Sequence, residues 1–411
     1  MNVLGIIAEY NPFHNGHAYH LEQARQKCNA DGVICIMSGN FMQRGDAAIA
    51  DKWTRATLAA KAGIDLVIEL PTVFAVRSAE NFADGGVRLL NNLGIVTHIA
   101  FGAETANLVL LKRIAATITS PEFSTALRNN LKNGLSYPAA LSNTVKLLLN
   151  DDTNLLREPN NILAIEYLKS LQNINSLIRP IAIPRHYADH HDVNLHQKIA
   201  SATAIRNALH FHSAESIHNL QTVLPAASFT SMTMLQKIGL ADMKYLDTAL
   251  LAKLRCLSPT DLAQITGISE GLENKIIAAA LHSTTIADLK HNIKSKRYPM
   301  SRLKRILLHC LLGCTQEQIR QFDQVGPLYC RVLAFTEQGR VLLKKIKAHS
   351  TLPIITKTTQ YISSQYRHNS PTLLSKMLAY DTYATDLYAL CFAINRAGGQ
   401  DFIQSPIYVK K

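Results

Sequence analysis

Two histidines three residues apart, His14 and His17, flank an Asn-Gly pair in the stretch GIIAEYNPFHNGHAYHLEQAR, Gly5 to Arg25. They sit where an apolar run gives way to a helical pattern. A glycine at such a junction lets an anion approach the backbone closely, and the helix N-terminus turns free amides and the positive end of its dipole toward it. Two imidazoles at this spacing can project at one site and donate to phosphate oxygens. The arrangement points to a nucleotide cradle that works without a Walker lysine. Protein-bound metal is not expected, because His14, His17 and His20 spread around a helix and no acidic partner stands at the i+4 position. A second stretch, ASATAIRNAL, runs from Ala200 to Leu209. Ser201 and Thr203 can cap a helix whose first turn brings Arg206 toward the same edge, where a guanidinium binds phosphate through two donors.

These residues need a scaffold that gathers them. The first two hundred residues alternate β-rich runs (Val3–Ala8, Gly32–Met37, Asp65–Leu70, Thr97–Phe101, Ile178–Ile183) with helical patterns (Asn15–Cys28, Asp51–Ala62, Ala79–Leu93, Asn161–Leu171). Strand, helix, strand repeated in this way predicts right-handed crossovers and a mainly parallel sheet with helices on both faces. Ligands bind such sheets beyond the carboxyl ends of the strands. The polar segments Asn11–His17, Ser38–Arg44, Gly102–Glu104 and Arg185–His186 all fall at that edge. From about Ala208 the pattern turns mostly helical. The predicted organisation is α/β: a parallel-sheet domain over residues 1–210, then a mostly helical, basic region over 211–411.

Composition narrows the partners. The formal net charge is +13 over 411 residues, a large excess that suits a polyanion. Residues 281–350 hold thirteen Lys and Arg against four Asp and Glu, so +9 of it lies in this stretch. Within it, a helix starting near Arg302 would put Leu303, Ile306, Leu307, Cys310 and Leu311 on an apolar face and Arg302, Arg305 and His309 on a basic one. Thr260–Leu281 loosely resembles a helix-hairpin-helix and equally fits an ordinary packing unit. The seven cysteines include no Cys-x-x-Cys pair, which points to a reducing cytosol. No run approaches the roughly 20 apolar residues of a membrane helix, and Val3–Ala8 reads as a strand rather than a signal peptide.

The His-x-Gly-His and Ser-Ala-Thr-x-x-Arg pair resembles the bipartite signature of nucleotidyltransferases related to class I aminoacyl-tRNA synthetases, with Ser-Ala-Thr in place of Ile-Ser-Ser. With GNFMQRGDAAIADKWTRA, FGAE, EPNNILAIEYL, RYPMSRLKRILLHCLLG and DTYATDLYAL, the resemblance narrows to the bacterial tRNA(Met) cytidine acetate ligase family and covers nearly the whole chain. It implies a Rossmann-like nucleotidyltransferase domain and a two-step reaction. ATP and acetate give acetyl-adenylate and pyrophosphate; the acetyl group then passes to the exocyclic amine of the wobble cytidine of elongator tRNA(Met), giving N(4)-acetylcytidine. It also implies nucleotide contacts from one loop, Ile7, Ala8, Glu9, Tyr10, Asn11, Pro12, Phe13, His14, Asn15, Gly16, His17, Ala18, Tyr19 and His20. Further contacts fall on Gly102, the Asn160–Asn161 pair and Arg185 with His186, and Ser201 stands with them.

The chemistry of the residues agrees. Acetate is already an anionic nucleophile, so attack on the α-phosphate needs positioning and charge neutralisation, from His14, His17, Arg206 and Mg²⁺, and no general base. In the second step a proton must leave the cytidine amine, and the sequence names no acceptor for it. A wobble base splayed into a cleft requires single-strand recognition. Gln43 and Arg44 in SGNFMQRGD are expected to close over acetate or the base, and Arg302 and Arg305 to hold tRNA phosphates. Two alternatives stand beside this reading: an adenylyltransferase acting on a phosphorylated cofactor precursor, and a noncatalytic RNA-binding protein.

Overall fold

The computed structural model describes residues 1–135, 137–149, 155–185, 199–210, 214–295 and 298–410. Its organising element is one eight-stranded sheet. Five strands come from the first half of the chain: β1 (Val3–Ala8), β2 (Gly32–Ser38), β3 (Leu66–Leu70), β4 (His98–Ala103) and β5 (Arg179–Pro184). They pair in parallel in the order β5-β4-β1-β2-β3. β1 and β4 are therefore neighbours although β2 and β3 intervene in sequence, and the strand order reverses between them. The crevice at such a switch point is where an open α/β sheet receives its ligand.

The central strands are apolar without alternation because both faces are covered. Ile34 and Ile36 of β2 point into one core, with residues of the helices Ala79–Asn92 and Pro159–Asn173. Val33, Cys35 and Met37 point into the other, with residues of the helices Asn15–Cys28 and Lys52–Lys61. All seven cysteines are free thiols, in keeping with a sequence that offers no disulfide framework. Among the described residues no helix is long and apolar enough to cross a membrane.

After β5 the chain leaves the sheet for a run of helices that includes Ala202–His210, Leu272–His282 and Met300–Leu312. It then returns as β6 (Cys330–Phe335), antiparallel to β3, with β7 (Ile354–Ile355) and β8 (Ile407–Tyr408) parallel to β6. The β-like segment YCRVLAF thus extends the sheet built from the first half of the chain.

Candidate active site

A cavity of about 600 Å³ opens beyond the carboxyl ends of β1 and β4. The loop after β1 forms its floor. Tyr10 adopts a left-handed φ of 47° and the Asn11–Pro12 bond is cis. Phe13 is fully buried and packs its ring 4.8 Å from that of Tyr10. His14 is then the N-cap of the Asn15–Cys28 helix.

The two histidines cap this helix reciprocally. His14 Nδ1 accepts from the Gly16 amide at 3.0 Å, and His17 Nδ1 accepts from the His14 amide at 3.3 Å. A backbone amide can only donate, so each ring uses Nδ1 as an acceptor and carries its proton on Nε2. The rings stack with centroids 3.8 Å apart. Burial, with the nearby Arg185 and Arg206 cations, pushes His14 down to about 3; burial, then His14 and Arg185, holds His17 well below its usual value. Both are neutral Nε2–H donors at physiological pH. Gly16 is required by this geometry, since a Cβ there would lie 2.9 Å from His14 Cε1. The glycine makes room for the histidine ring as well as for a ligand.

Arg206 and Ser201 come to the same place. Ser201 Oγ accepts from the Ala204 amide at 3.0 Å, as an N-cap should, and Arg206 donates to the Asn11 carbonyl at 2.8 Å and to Thr203 Oγ1 at 3.0 Å. The other end of the cavity lies over β4. Gly102 sits beneath Arg185, whose Cγ would be 3.4 Å from an added Cβ, and Arg185 reaches Asn160 Oδ1 at 3.4 Å. His20, lowered to about 4 by burial and then by Arg185, lines this part, and its Nε2 has no hydrogen-bond partner among the described residues. Glu104 fixes the asparagines by accepting from the Asn160 side chain at 2.5 Å and from the Asn161 amide at 2.8 Å.

The cavity wall brings together Ile7, Ala8, Glu9, Tyr10, Asn11, His14, Gly16, His17, Tyr19, His20, Gly102, Asn160, Arg185, Ser201 and Arg206. Pro12, Phe13, Asn15, Ala18 and Asn161 are outside that wall: Asn15 donates to the Thr222 carbonyl, and Asn161 is buried behind the cavity with its Oδ1 on the Thr105 amide. His186 lies outside the described residues. Gln43 and Arg44 do line the cavity, with the Gln43 amide on Glu9 Oε1 at 2.6 Å and its side chain on the Arg77 carbonyl.

A family profile described as HIGH Nucleotidyl Transferase matches residues 1–401. The chain is 40% identical over 418 residues to a protein of Halothermothrix orenii named tRNA(Met) cytidine acetate ligase, with 98% of each chain covered. It belongs to the tRNA(Met) cytidine acetate ligase family. A Thermoanaerobacter ligase of that name is 41% identical, again over 98% of each chain. The crystal structure of Thermotoga maritima TmcAL bound with alpha-thio ATP superposes with a TM-score of 0.90 at 32% identity over all of both chains, and its apo form with 0.92 at 33%.

Two features of this ligase-family site were not readable in the sequence. Arg55, on the Lys52–Lys61 helix, is fully buried and clasps the ends of two strands, donating to the carbonyls of Glu9 (2.5 Å), Ser38 (3.1 Å) and Gly39. Helical periodicity marks it only as one cation among several. The Met300–Leu312 helix corrects the basic-face expectation. His309 is buried, with its Nε2 2.8 Å from the Val76 carbonyl. Arg302 folds back over the Tyr298 ring and donates to Gly267 and Ser269 in the hairpin turn. Arg305 points the other way and, with Ser301, lines the cavity described above.

Proposed function

We propose that the chain is an ATP-dependent ligase that condenses acetate with ATP to acetyl-adenylate and pyrophosphate, then transfers acetyl to the exocyclic amine of the wobble cytidine of elongator tRNA(Met), releasing AMP. The observation that carries this reading is the reciprocally capped His14–His17 pair. It presents two neutral Nε2–H donors beside Arg206 at a sheet switch point, with no nucleophilic side chain required. In-line attack of a carboxylate on the α-phosphate needs donors already aimed where charge develops on the phosphoryl oxygens. Neutral imidazoles meet this need without the reorganisation that water would impose.

Each residue then has a task. His14, His17 and Arg206 hold the reacting phosphates; Gly102, Asn160, Arg185 and His20 hold the nucleotide over β4; Ser201 fixes the helix that carries Arg206. His186 is assigned to the nucleotide with Arg185, and the remaining loop positions set the loop's shape. Glu9 is the one carboxylate among the described cavity-lining residues, and the Gln43 amide already engages it. Such a wall fits a Mg²⁺ ion that arrives on the triphosphate as part of the substrate. The ion would supply further neutralisation of phosphate charge.

Residues 1–210 are proposed as the adenylate-forming part and residues 211–411 as the part that holds tRNA, acting in the cytoplasm. The test is ATP–pyrophosphate exchange with and without acetate, followed by acetylation of tRNA(Met) transcripts. The expected result is exchange that depends on acetate. Exchange with a phosphorylated cofactor precursor instead, or RNA binding without any exchange, overturns the reading.

A further inference from the structure

Acetyl transfer to an amine leaves one proton to be removed, and among the described residues of the cavity wall three histidines and one carboxylate are the groups that could take it. The histidine pair is excluded by its hydrogen bonds: with Nδ1 committed to backbone amides, Nε2 of His14 and His17 already holds the proton. His20 lies next to Gly102 and the Arg185 cation, in the part of the wall assigned above to the nucleotide. Glu9 is different. It follows the last residue of β1 and borders the cavity beside Gln43 and Arg44. Arg44 also stands near Arg305, which brings the Met300–Leu312 helix to the same wall. On the function proposed above, a base delivered by tRNA held on the helical region would enter from this side and meet Glu9.

We propose that Glu9 is the catalytic proton acceptor of the acetyl-transfer step. The cytidine exocyclic nitrogen bonds the acetyl carbon, the bond from that carbon to the adenylate oxygen breaks with its electron pair leaving on AMP, and the nitrogen's proton passes to the Glu9 carboxylate. The first step, with acetate as an anionic nucleophile, makes no such demand. This inference rests on the function proposed above and assigns to one residue the step left without an acceptor.

The surroundings of Glu9 suit a base. Burial raises its carboxyl above the ordinary glutamate range, more than the Gln43 amide and the cations lower it. Those cations come from three elements: Arg206 from the Ala202–His210 helix, Arg55 from the Lys52–Lys61 helix and Arg44 from the loop after β2. Tyr167, from the Pro159–Asn173 helix, faces it as a neutral phenol. Transfer should therefore be full above the Glu9 pKa and fall as pH drops through it.

The test uses the full-length enzyme carrying Glu9→Gln, which keeps the oxygen that accepts from Gln43, with Glu9→Asp as the variant that keeps the carboxylate. Enzyme-bound labelled acetyl-adenylate is formed first, then mixed rapidly with tRNA(Met), so that adenylation and transfer are timed separately. General-base removal costs about 100- to 10,000-fold. The expected result is a transfer rate at least about 100-fold lower in Glu9→Gln, a much smaller fall in adenylation, and loss of the acidic limb of the transfer pH profile, which Glu9→Asp retains. Transfer within tenfold of the parent, or equal falls in both steps, overturns the assignment. A parent enzyme without acetate-dependent exchange overturns the proposed function and this assignment with it; a parent that acetylates tRNA while Glu9→Gln keeps pace overturns this assignment alone.

Discussion

Arg305 offers a test in which stability and activity move in opposite directions. Its guanidinium has no hydrogen bond or ion pair among the described residues, and the charges around it are Arg302, Arg77 and Arg44, all of its own sign. Burial, then this repulsion, lowers it from the ordinary arginine range to about 10. A drop of that size corresponds to ~3 kcal/mol held against the charged form in the folded protein. Residual solvent exposure screens it to ~1 kcal/mol. The sign follows from linkage: the folded-state value lies below the unfolded one, so at any pH below about 10 the full penalty acts on the folded state, and removing the charge removes it. Arg305→Met keeps the aliphatic stem, so the unliganded protein should gain ~1 kcal/mol, seen as a melting temperature about 1–3 °C higher. The ligands proposed for this cavity are anions, and losing a charge-assisted hydrogen bond to one costs ~1.5–3 kcal/mol. Acetylation kcat/KM should fall by about 10- to 100-fold. Thermal melts of unliganded parent and variant, run beside tRNA acetylation assays, measure both. A variant that melts lower than the parent, or one that acetylates at the parental rate, refutes the reasoning.

Three further outcomes follow. His17→Ala removes both an Nε2–H donor and the acceptor for the His14 amide, and acetate-dependent exchange should fall about 100- to 1000-fold while tRNA affinity, measured by filter binding, holds. The depressed values of His14, His17 and His20 make the unfolded chain the better proton binder between pH 6.5 and about 4, so the urea midpoint should decline as pH drops through that window and stay level with respect to these groups above it. Arg302→Ala should weaken cognate and noncognate tRNA alike and flatten the dependence of log affinity on log salt by about 0.7 to 0.9; an unchanged slope removes Arg302 from the phosphate contacts.

The nucleotide-side strands and helices were legible because each announces itself locally. Apolar runs such as Gly32–Met37 are buried on both faces, and Asn15–Cys28 begins at a capping residue. The candidate site was legible for the same reason: a glycine, two histidines and an arginine fall at the starts of two helices, where backbone amides are free. What the sequence concealed is nonlocal. Nothing around Cys330 tells that its strand pairs antiparallel with β3, whose partner residues lie more than 260 positions earlier. Helical periodicity placed His309 on a polar face because it cannot see the Val76 carbonyl that satisfies the ring. Arg55 and Arg305 share this difficulty, since an arginine's task depends on which carbonyls or anions the fold delivers to it.

The return of the chain to the sheet fixes the helical region against the candidate site, whose wall it reaches through Ser301 and Arg305. Glu69 of β3 and Arg331 of β6 are register partners, bridged at 3.1 Å, and Lys52 and Asp401 close the group through contacts of 2.8 Å from Lys52 to both carboxylates and 2.5 Å from Arg331 to Asp401. All four are almost fully buried. Burying such charges gains little net stability, but removing any one leaves a partner uncompensated, at ~3–5 kcal/mol. Slipping β6 by one residue would separate Glu69 from Arg331 in the same way, so the cluster makes register costly to change. Asp381 adds to this lock by accepting from the Thr72 amide at 2.7 Å and the Tyr329 hydroxyl at 2.5 Å. The helical excursion between β5 and β6 is therefore tethered to the sheet at both ends. Lys304 braces it by pairing with Asp46 at 2.7 Å, one position from the arginine that enters the cavity. The helical region proposed to hold the tRNA and the groups proposed to form the adenylate are thereby held in one frame, as transfer of an acetyl group between them requires.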